Sequence, residues 1–204
     1  EIGAELTSSP VVRMLTFTGS TRVGALLMEQ CGGTVKKMGL ELGGLAKEYA
    51  ADRAALLLKR KKLYSAFVEL GGDIHVTGPP PDEKSWNMGI RKPDYQHKKN
   101  GKAIASIPIA SGGLATSGDY ERSNIINGKR YGHIIDPITG WPVNSFQSVS
   151  VLAISCLLAG SISTLAMLMG AEAGLEFLAN SGFAWLAQTT DGVIHTELSE
   201  TNQP

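Results

Sequence analysis

The chain has 204 residues, 43% of them hydrophobic and 19% charged, a globular balance with length enough for one sizeable core. Lysine plus arginine equals aspartate plus glutamate, 19 against 19, so no net charge argues for nucleic acid or an anionic membrane surface as the main partner.

Val12 to Thr18 is a β-branched and apolar run that enters a turn at Gly19-Ser20 and reads as a strand. Thr21 to Gln30, with Val23, Leu26 and Leu27, reads as a short helix, and Val35 to Leu42 as a second strand, broken by Gly43-Gly44. Leu45 to Arg60 is the clearest helix. Its apolar positions Leu45, Tyr49, Ala50, Leu56 and Leu57 predict one broad core-facing side. The run Lys59-Arg60-Lys61-Lys62 puts positive charge at its C-terminus, where the helix dipole favours it. Tyr64 to Leu70 reads as a strand, Gly71-Gly72-Asp73 as a hairpin bend and Ile74 to Thr77 as the returning strand. Pro79-Pro80-Pro81 marks a loop, and Trp86 to Arg91 and Ala103 to Ile109 read as further strands. Asn127-Gly128 predicts a hairpin turn between Ser123 to Ile126 and Arg130 to Ile135. Gln147 to Ala153 alternates as a strand does, and Leu157 to Gly170 and Ala171 to Asn180 read as helices. Phe183 to Gln188 and Val193 to Thr196 close as a hairpin across Asp191-Gly192. The order lacks strict strand–helix alternation after residue 60, which predicts an α+β class with mixed or antiparallel sheets.

Cys31 and Cys156 make neither a disulfide scaffold nor a zinc site and read as buried free thiols. No apolar run reaches the ~18 residues of a membrane span. The best one, Val149 to Ala159, is short and contains serines and a cysteine. The chain opens at Glu1 without a basic stretch or an apolar signal core, so a targeting segment is expected to be absent or lost upstream.

Leu15-Thr16-Phe17-Thr18-Gly19-Ser20-Thr21-Arg22-Val23-Gly24, followed by Glu41-Leu42-Gly43-Gly44, resembles the dinucleotide-phosphate region and the general-base motif of aldehyde dehydrogenases. The resemblance covers residues 1 to 44 and is nearest to succinate-semialdehyde dehydrogenases. A strand feeding Gly-Ser-Thr into a helix N-terminus suits a pyrophosphate; taken alone, such a turn also serves packing. That family needs a nucleophilic cysteine well downstream of Glu-Leu-Gly-Gly; Cys31 precedes the motif, and Cys156 lies in an apolar strand-to-helix region with no basic residue nearby in sequence to activate it, so aldehyde oxidation is not expected.

From Glu41 onward four motifs follow another family in order. They are Glu41-Leu42-Gly43-Gly44-Leu45-Ala46-Lys47-Glu48-Tyr49-Ala50-Ala51-Asp52, then Glu69-Leu70-Gly71-Gly72-Asp73, then Ala115-Thr116-Ser117-Gly118-Asp119-Tyr120-Glu121-Arg122, and His133-Ile134-Ile135-Asp136-Pro137-Ile138-Thr139-Gly140. This stretch, residues 41 to 204, resembles the C-terminal half of ApbE-family FAD:protein FMN transferases. The switch between the two resemblances falls at a tetrapeptide both nearly share. The implied fold is an ApbE-like (T-fold-like) half preceded by a strand-turn-helix-strand fragment of dehydrogenase type. The implied activity takes FAD as substrate and Mg²⁺ as cofactor, attaches FMN to a threonine or serine of a target flavoprotein and releases AMP.

By the same resemblance, Glu41, Lys47, Asp73, Ser117, Gly118, Asp119 and Ile134 fall at cofactor-binding positions. Gly44, through its carbonyl, and Thr164 fall at metal positions, and His133 at the general base. The bland alternatives stand beside these roles. A histidine in a strand is most often structural, Lys47 in a first helical turn is commonly solvated, and Asp119 could simply pair with Arg122. Ser117-Gly118-Asp119 is expected to shape a loop, and Asp136 to cap the turn after it. The family's N-terminal half, which supplies part of the adenine and flavin pocket, is not recognisable in the chain. Proteins of this family usually work in the periplasm or attached to a membrane, and the sequence sets no oligomeric state.

Three departures accompany the resemblance. Where the pattern has an aspartate four residues before Thr164, this chain has Gly160; Glu48 replaces a glycine; Glu41 replaces an aspartate. Mg²⁺ prefers hard anionic oxygens, so loss of the carboxylate at 160 predicts impaired transfer, and Gly160→Asp is expected to raise Mg²⁺ affinity if the site is otherwise formed. A non-catalytic FAD or adenine-nucleotide binder is the alternative reading, and a dehydrogenase fragment a further one.

Overall fold

The computed structural model describes residues 8, 14–19, 37–42, 45–93, 103–118, 123–126, 129–136 and 139–198; at 14–19, 37–42, 123–126 and 129–130 it describes the backbone alone. The chain divides into two units, Glu1–Ala46 and Lys47–Pro204.

In the first unit β1 (Met14–Gly19) and β2 (Lys37–Leu42) pair in parallel, from Met14 opposite Lys37 to Gly19 opposite Leu42. A parallel pair needs a connection of roughly a dozen residues or more, and residues 20–36 stand between the two strands in the sequence. The helix expected at Thr21 to Gln30, the Gly43-Gly44 break and Cys31 lie outside the described residues.

Helix α1 (Ala46–Arg60) belongs to the second unit from Lys47 onward. The hairpin β3 (Phe67–Leu70) and β4 (Asp73–Val76) follows. Its two-residue turn is Gly71-Gly72, both at positive φ (61° and 94°), a conformation other residues resist. A second hairpin joins β5 (Trp86–Arg91) to β6 (Ala103–Ile109). Next come β7 (Gly112–Gly118), the pair β8 (Ser123–Ile126) and β9 (Lys129–Gly132), and β10 (Phe146–Ala153). The helices α2 (Cys156–Met169) and α3 (Ala171–Ala179) precede the closing hairpin of β11 (Ala184–Thr189) and β12 (Ile194–Glu197). Six strands form one sheet in the order β12-β11-β10-β7-β4-β3, every neighbouring pair antiparallel. The α+β, antiparallel expectation holds.

Side chains alternate across this sheet with period two, and a separate core lies on each face. On one face Val149, Val151, Ala115 and Trp185 pack with Ala159, Ile162, Ala166 and Met167 of α2 and Leu178 of α3. On the other, Leu114, Leu152 and Leu186 pack with Met88, Ile90, Ile107 and Ile109 of the β5–β6 hairpin.

Two expectations are corrected. Ser117 and Gly118 are not loop residues: they end β7, opposite Val149 and Ser148 of β10. The glycine-rich sequence of β7 hides a central strand, because the N-terminus of α2 lies directly over it. A Cβ on Gly113 would stand 2.1 Å from the Cys156 nitrogen, so that position admits only glycine. The face of α1 is also different. Glu48, Ala51 and Ala55 are buried, while Tyr49 and Leu57 are each 56% exposed. Small residues let α1 approach closely, and the larger apolar side chains point away from that contact.

Candidate functional site

Four stretches distant in sequence meet beside α2. Lys47, in the first turn of α1, reaches over the β3–β4 turn. Its Nζ donates to Asp73 Oδ2 at 2.9 Å, and its Cδ lies 3.5 Å from the place a Gly71 Cβ would take. Asp73, the first residue of β4, is fully enclosed and also accepts from the Thr116 N–H of β7 at 3.4 Å. Burial holds its carboxyl above the usual aspartate range, with Lys47 and the Thr116 N–H opposing. Next along β7, Ser117 Oγ lies 2.8 Å from Ser163 Oγ and 2.9 Å from Thr164 Oγ1 on α2. Ser163 Oγ donates in turn to the Gly160 carbonyl at 3.1 Å. Glu48 is buried against Gly160, and one of its carboxylate oxygens, Oε2, has no partner.

A second polar cluster fixes the helices that carry these groups. Asp52 of α1 accepts from the Cys156 and Leu157 N–H groups at 2.8 and 3.0 Å, capping α2 from another helix. Its Oδ1 is also 2.6 Å from His75 Nδ1 of β4. Ser155 adds a cap from within, accepting from the Leu158 N–H at 3.2 Å. Cys156 is buried and free, as expected, and burial beside Asp52 pushes its thiol far above the usual range. Such a thiol is inert.

The predicted site residues therefore divide. Lys47, Asp73, Ser117 and Thr164 lie in one linked set of side chains. Gly118 sits at the end of the same strand, opposite Ser148. His133 stands half-buried in the bend after β9, and Ile134 beside it packs against the core on the α2 side of the sheet. Asp136 does hold the turn that follows, accepting from Thr139 Oγ1 at 2.9 Å. Glu41 belongs to β2 in the first unit, where the backbone alone is described, and Gly44, Asp119 and Arg122 lie outside the described residues. Sequence reasoning assigned no task to Ser163, His75 or the Asp52 carboxylate. Ser163 adjoins Thr164 and could have been noticed, whereas an aspartate capping a helix a hundred residues away leaves no local signature.

Comparison with known proteins decides the family. The sequence profile of the ApbE family matches residues 8–186, most of the chain. The chain belongs to the ApbE family. The match begins well before Glu41, where the resemblance was expected to start. The FAD:protein FMN transferase of Klebsiella pneumoniae is 36% identical over 142 residues, which are 69% of this chain and 42% of that protein. The Haemophilus influenzae protein of the same name is 32% identical over 162 residues, 78% of this chain and 46% of that one. Among solved structures, the ApbE protein of Thermotoga maritima aligns with a TM-score of 0.68 at 34% identity, over 80% of this chain and 54% of that one. The flavin transferase ApbE of Vibrio cholerae aligns with a TM-score of 0.61 at 34% identity, over 76% and 49%. The chain thus spans about half the length of the relatives it matches.

Proposed function

We propose that this chain carries part of an FAD:protein FMN transferase site, acting on FAD and passing FMN to a threonine or serine of a target flavoprotein. The observation that carries the reading is the joining of the motifs: Lys47 to Asp73, Asp73 to Thr116, and Ser117 to Thr164 are each linked by a hydrogen bond. In the reaction the acceptor hydroxyl oxygen bonds to the phosphorus on the FMN side, the anhydride P–O bond breaks and AMP leaves. His133 is the proposed acceptor of the hydroxyl proton, since a neutral imidazole suits that task near neutral pH. Lys47 is the proposed partner of phosphate oxygens, for which its half-exposed ammonium is suited. Thr164 is the proposed contact of a Mg²⁺ ion, which would supply charge neutralisation on the pyrophosphate. The clustered hydroxyls of Ser117, Ser163 and Thr164, with the unpartnered Glu48 oxygen nearby, fit the oxygen-seeking chemistry of such an ion. A periplasmic or membrane-associated setting belongs to the same proposal.

Transfer is proposed to be impaired, because Gly160 offers no carboxylate where the family pattern has one. Incubation with FAD, Mg²⁺ and an acceptor flavoprotein domain, read by mass spectrometry, tests this. FAD binding with little FMN transfer is expected. Robust transfer would refute the impairment, and absence of FAD binding would refute the whole reading. The same glycine favours a second reading, an FAD or adenine-nucleotide binder without turnover; calorimetry showing FAD binding with no AMP released would select it. The dehydrogenase kinship of residues 1 to 44 is proposed as ancestry without activity. With Cys156 buried and its thiol unreactive, no NAD(P)H should form from succinic semialdehyde.

A further inference from the structure

Glu48 is 6% exposed, and its Oε2 has no hydrogen-bond partner. Native proteins rarely leave a buried carboxylate oxygen in that condition, because desolvation goes uncompensated. Burial is the chief cause that disfavours its ionised form, Asp73 and Asp52 add to it, and its own backbone N–H and Lys47, itself paired with Asp73, oppose.

The facing helix shows what makes room for this side chain. A Cβ built on Gly160 would stand 2.8 Å from Glu48 Cγ, 2.8 Å from Oε1 and 3.1 Å from Cδ. The volume that any side chain at 160 would need is thus occupied by the Glu48 carboxylate. Thr164 is four residues further along α2 and shares the face of Gly160. Its hydroxyl, with that of Ser163, is held by Ser117. An acid at 48 and a glycine at 160, which read as two unrelated departures in sequence, are in contact.

We propose that Glu48 is a carboxylate ligand of a divalent cation at this site, delivered from α1 into the space that Gly160 leaves open. The inference rests on the reading of the site as a metal-dependent flavin-nucleotide site. It changes one expectation of that reading: the carboxylate is relocated, not lost. A hard dication bound here would give Oε2 the partner it lacks and offset the excess of acids over Lys47. On this proposal an aspartate at 160 would have to displace the flexible Glu48 side chain from the same space, exchanging one carboxylate for another.

Manganese(II), a spin-active ion with the same preference for oxygen ligands as Mg²⁺, can be titrated into the full chain without flavin, with the free-ion paramagnetic signal as readout. The parent should bind. Glu48→Gln, nearly the same shape, should bind at least about tenfold more weakly, with no fall in the metal-free melting temperature. The paired change Glu48→Gly with Gly160→Asp returns the carboxylate to α2 and should recover affinity close to the parent's. Gly160→Asp alone should not bind more tightly than the parent. Equal affinity in the parent and Glu48→Gln overturns the proposal and leaves the transferase reading standing. A parent that binds no manganese also overturns it, and flavin fluorescence on adding FAD then decides the wider reading separately.

Discussion

Replacing Lys47 with methionine asks how much of the local charge balance one ion pair carries. Lys47 Nζ lies 2.9 Å from Asp73 Oδ2, with the aspartate side chain 2% exposed and the lysine 50% exposed. At that separation and an effective dielectric constant of ~20 the gross attraction is about 6 kcal/mol. Breaking a fully buried pair from one side costs about 3–5 kcal/mol. Half of this lysine is in water, so the net loss should be lower, ~2–3 kcal/mol. Methionine keeps an apolar stem of similar length, so the change reports charge more than packing. The pH dependence has a defined sign. Burial raises the folded-state pKa of Asp73 above its unfolded value, so the native state holds the proton more tightly. Stability therefore falls as pH rises from the unfolded value to the folded one. Without Lys47 the folded value climbs further and that window widens upward. Lys47→Met should cost least at about pH 5 and most at about pH 8. Urea unfolding followed by circular dichroism at both pH values measures it, for the parent, Lys47→Met, Asp73→Asn and the double variant. Asp73→Asn should recover most of the loss in the Lys47→Met background, because it removes the stranded charge. A loss independent of pH, or a double variant no more stable than Lys47→Met, would refute this account.

Three further outcomes are expected. Ser117→Ala removes the partner shared by Ser163 and Thr164 and should lower stability by about 1–2 kcal/mol, read from a thermal melt. Asp52→Ala strips two N–H groups of α2 and His75 of their acceptor. It should cost about 2–4 kcal/mol, summing a lost cap and a lost buried contact. Asp52→Asn, keeping one acceptor oxygen, should cost less in the same urea titration. In a Cys31→Ser background, Cys156 should resist a thiol reagent such as DTNB in the native state and react fully once urea unfolds the chain, because its side chain is enclosed and its thiolate disfavoured.

Elements with local signals were legible. Gly71-Gly72 between two β-rich runs announced the β3–β4 hairpin, and Trp86–Arg91 and Ala103–Ile109 are strands over the bounds read from the sequence. What escaped was decided by contact. Strand β7 begins with glycines because a helix N-terminus presses on it, and glycine reads as a breaker when that helix is not in view. The face of α1 was misassigned for a related reason. Tyr49, Leu56 and Leu57 outweigh Ala51 and Ala55 in any hydrophobic pattern, yet the close packing of α1 selects the small residues and places the large ones outside. The family resemblance singled out Lys47, Asp73, Ser117 and Thr164, which the structure links by hydrogen bonds in two sets, but which hydroxyl touches which could not be read from the sequence.

Glu48 and Gly160 show how a site can be misjudged when its positions are weighed one at a time. Read separately, a glutamate for a glycine adds bulk and charge near a phosphate site, and a glycine for an aspartate removes a ligand; each subtracts. Structure makes them one change, because the side chain added on α1 fills the volume vacated on α2. The energetics of such a pair cannot be additive, since residues in contact share both space and charge. Gly160 with a side chain would overpack Glu48, and Glu48 without its side chain would leave a void beside Gly160 and no anionic oxygen at that point. The location of a carboxylate in space, more than its address in the sequence, then determines what the site can hold.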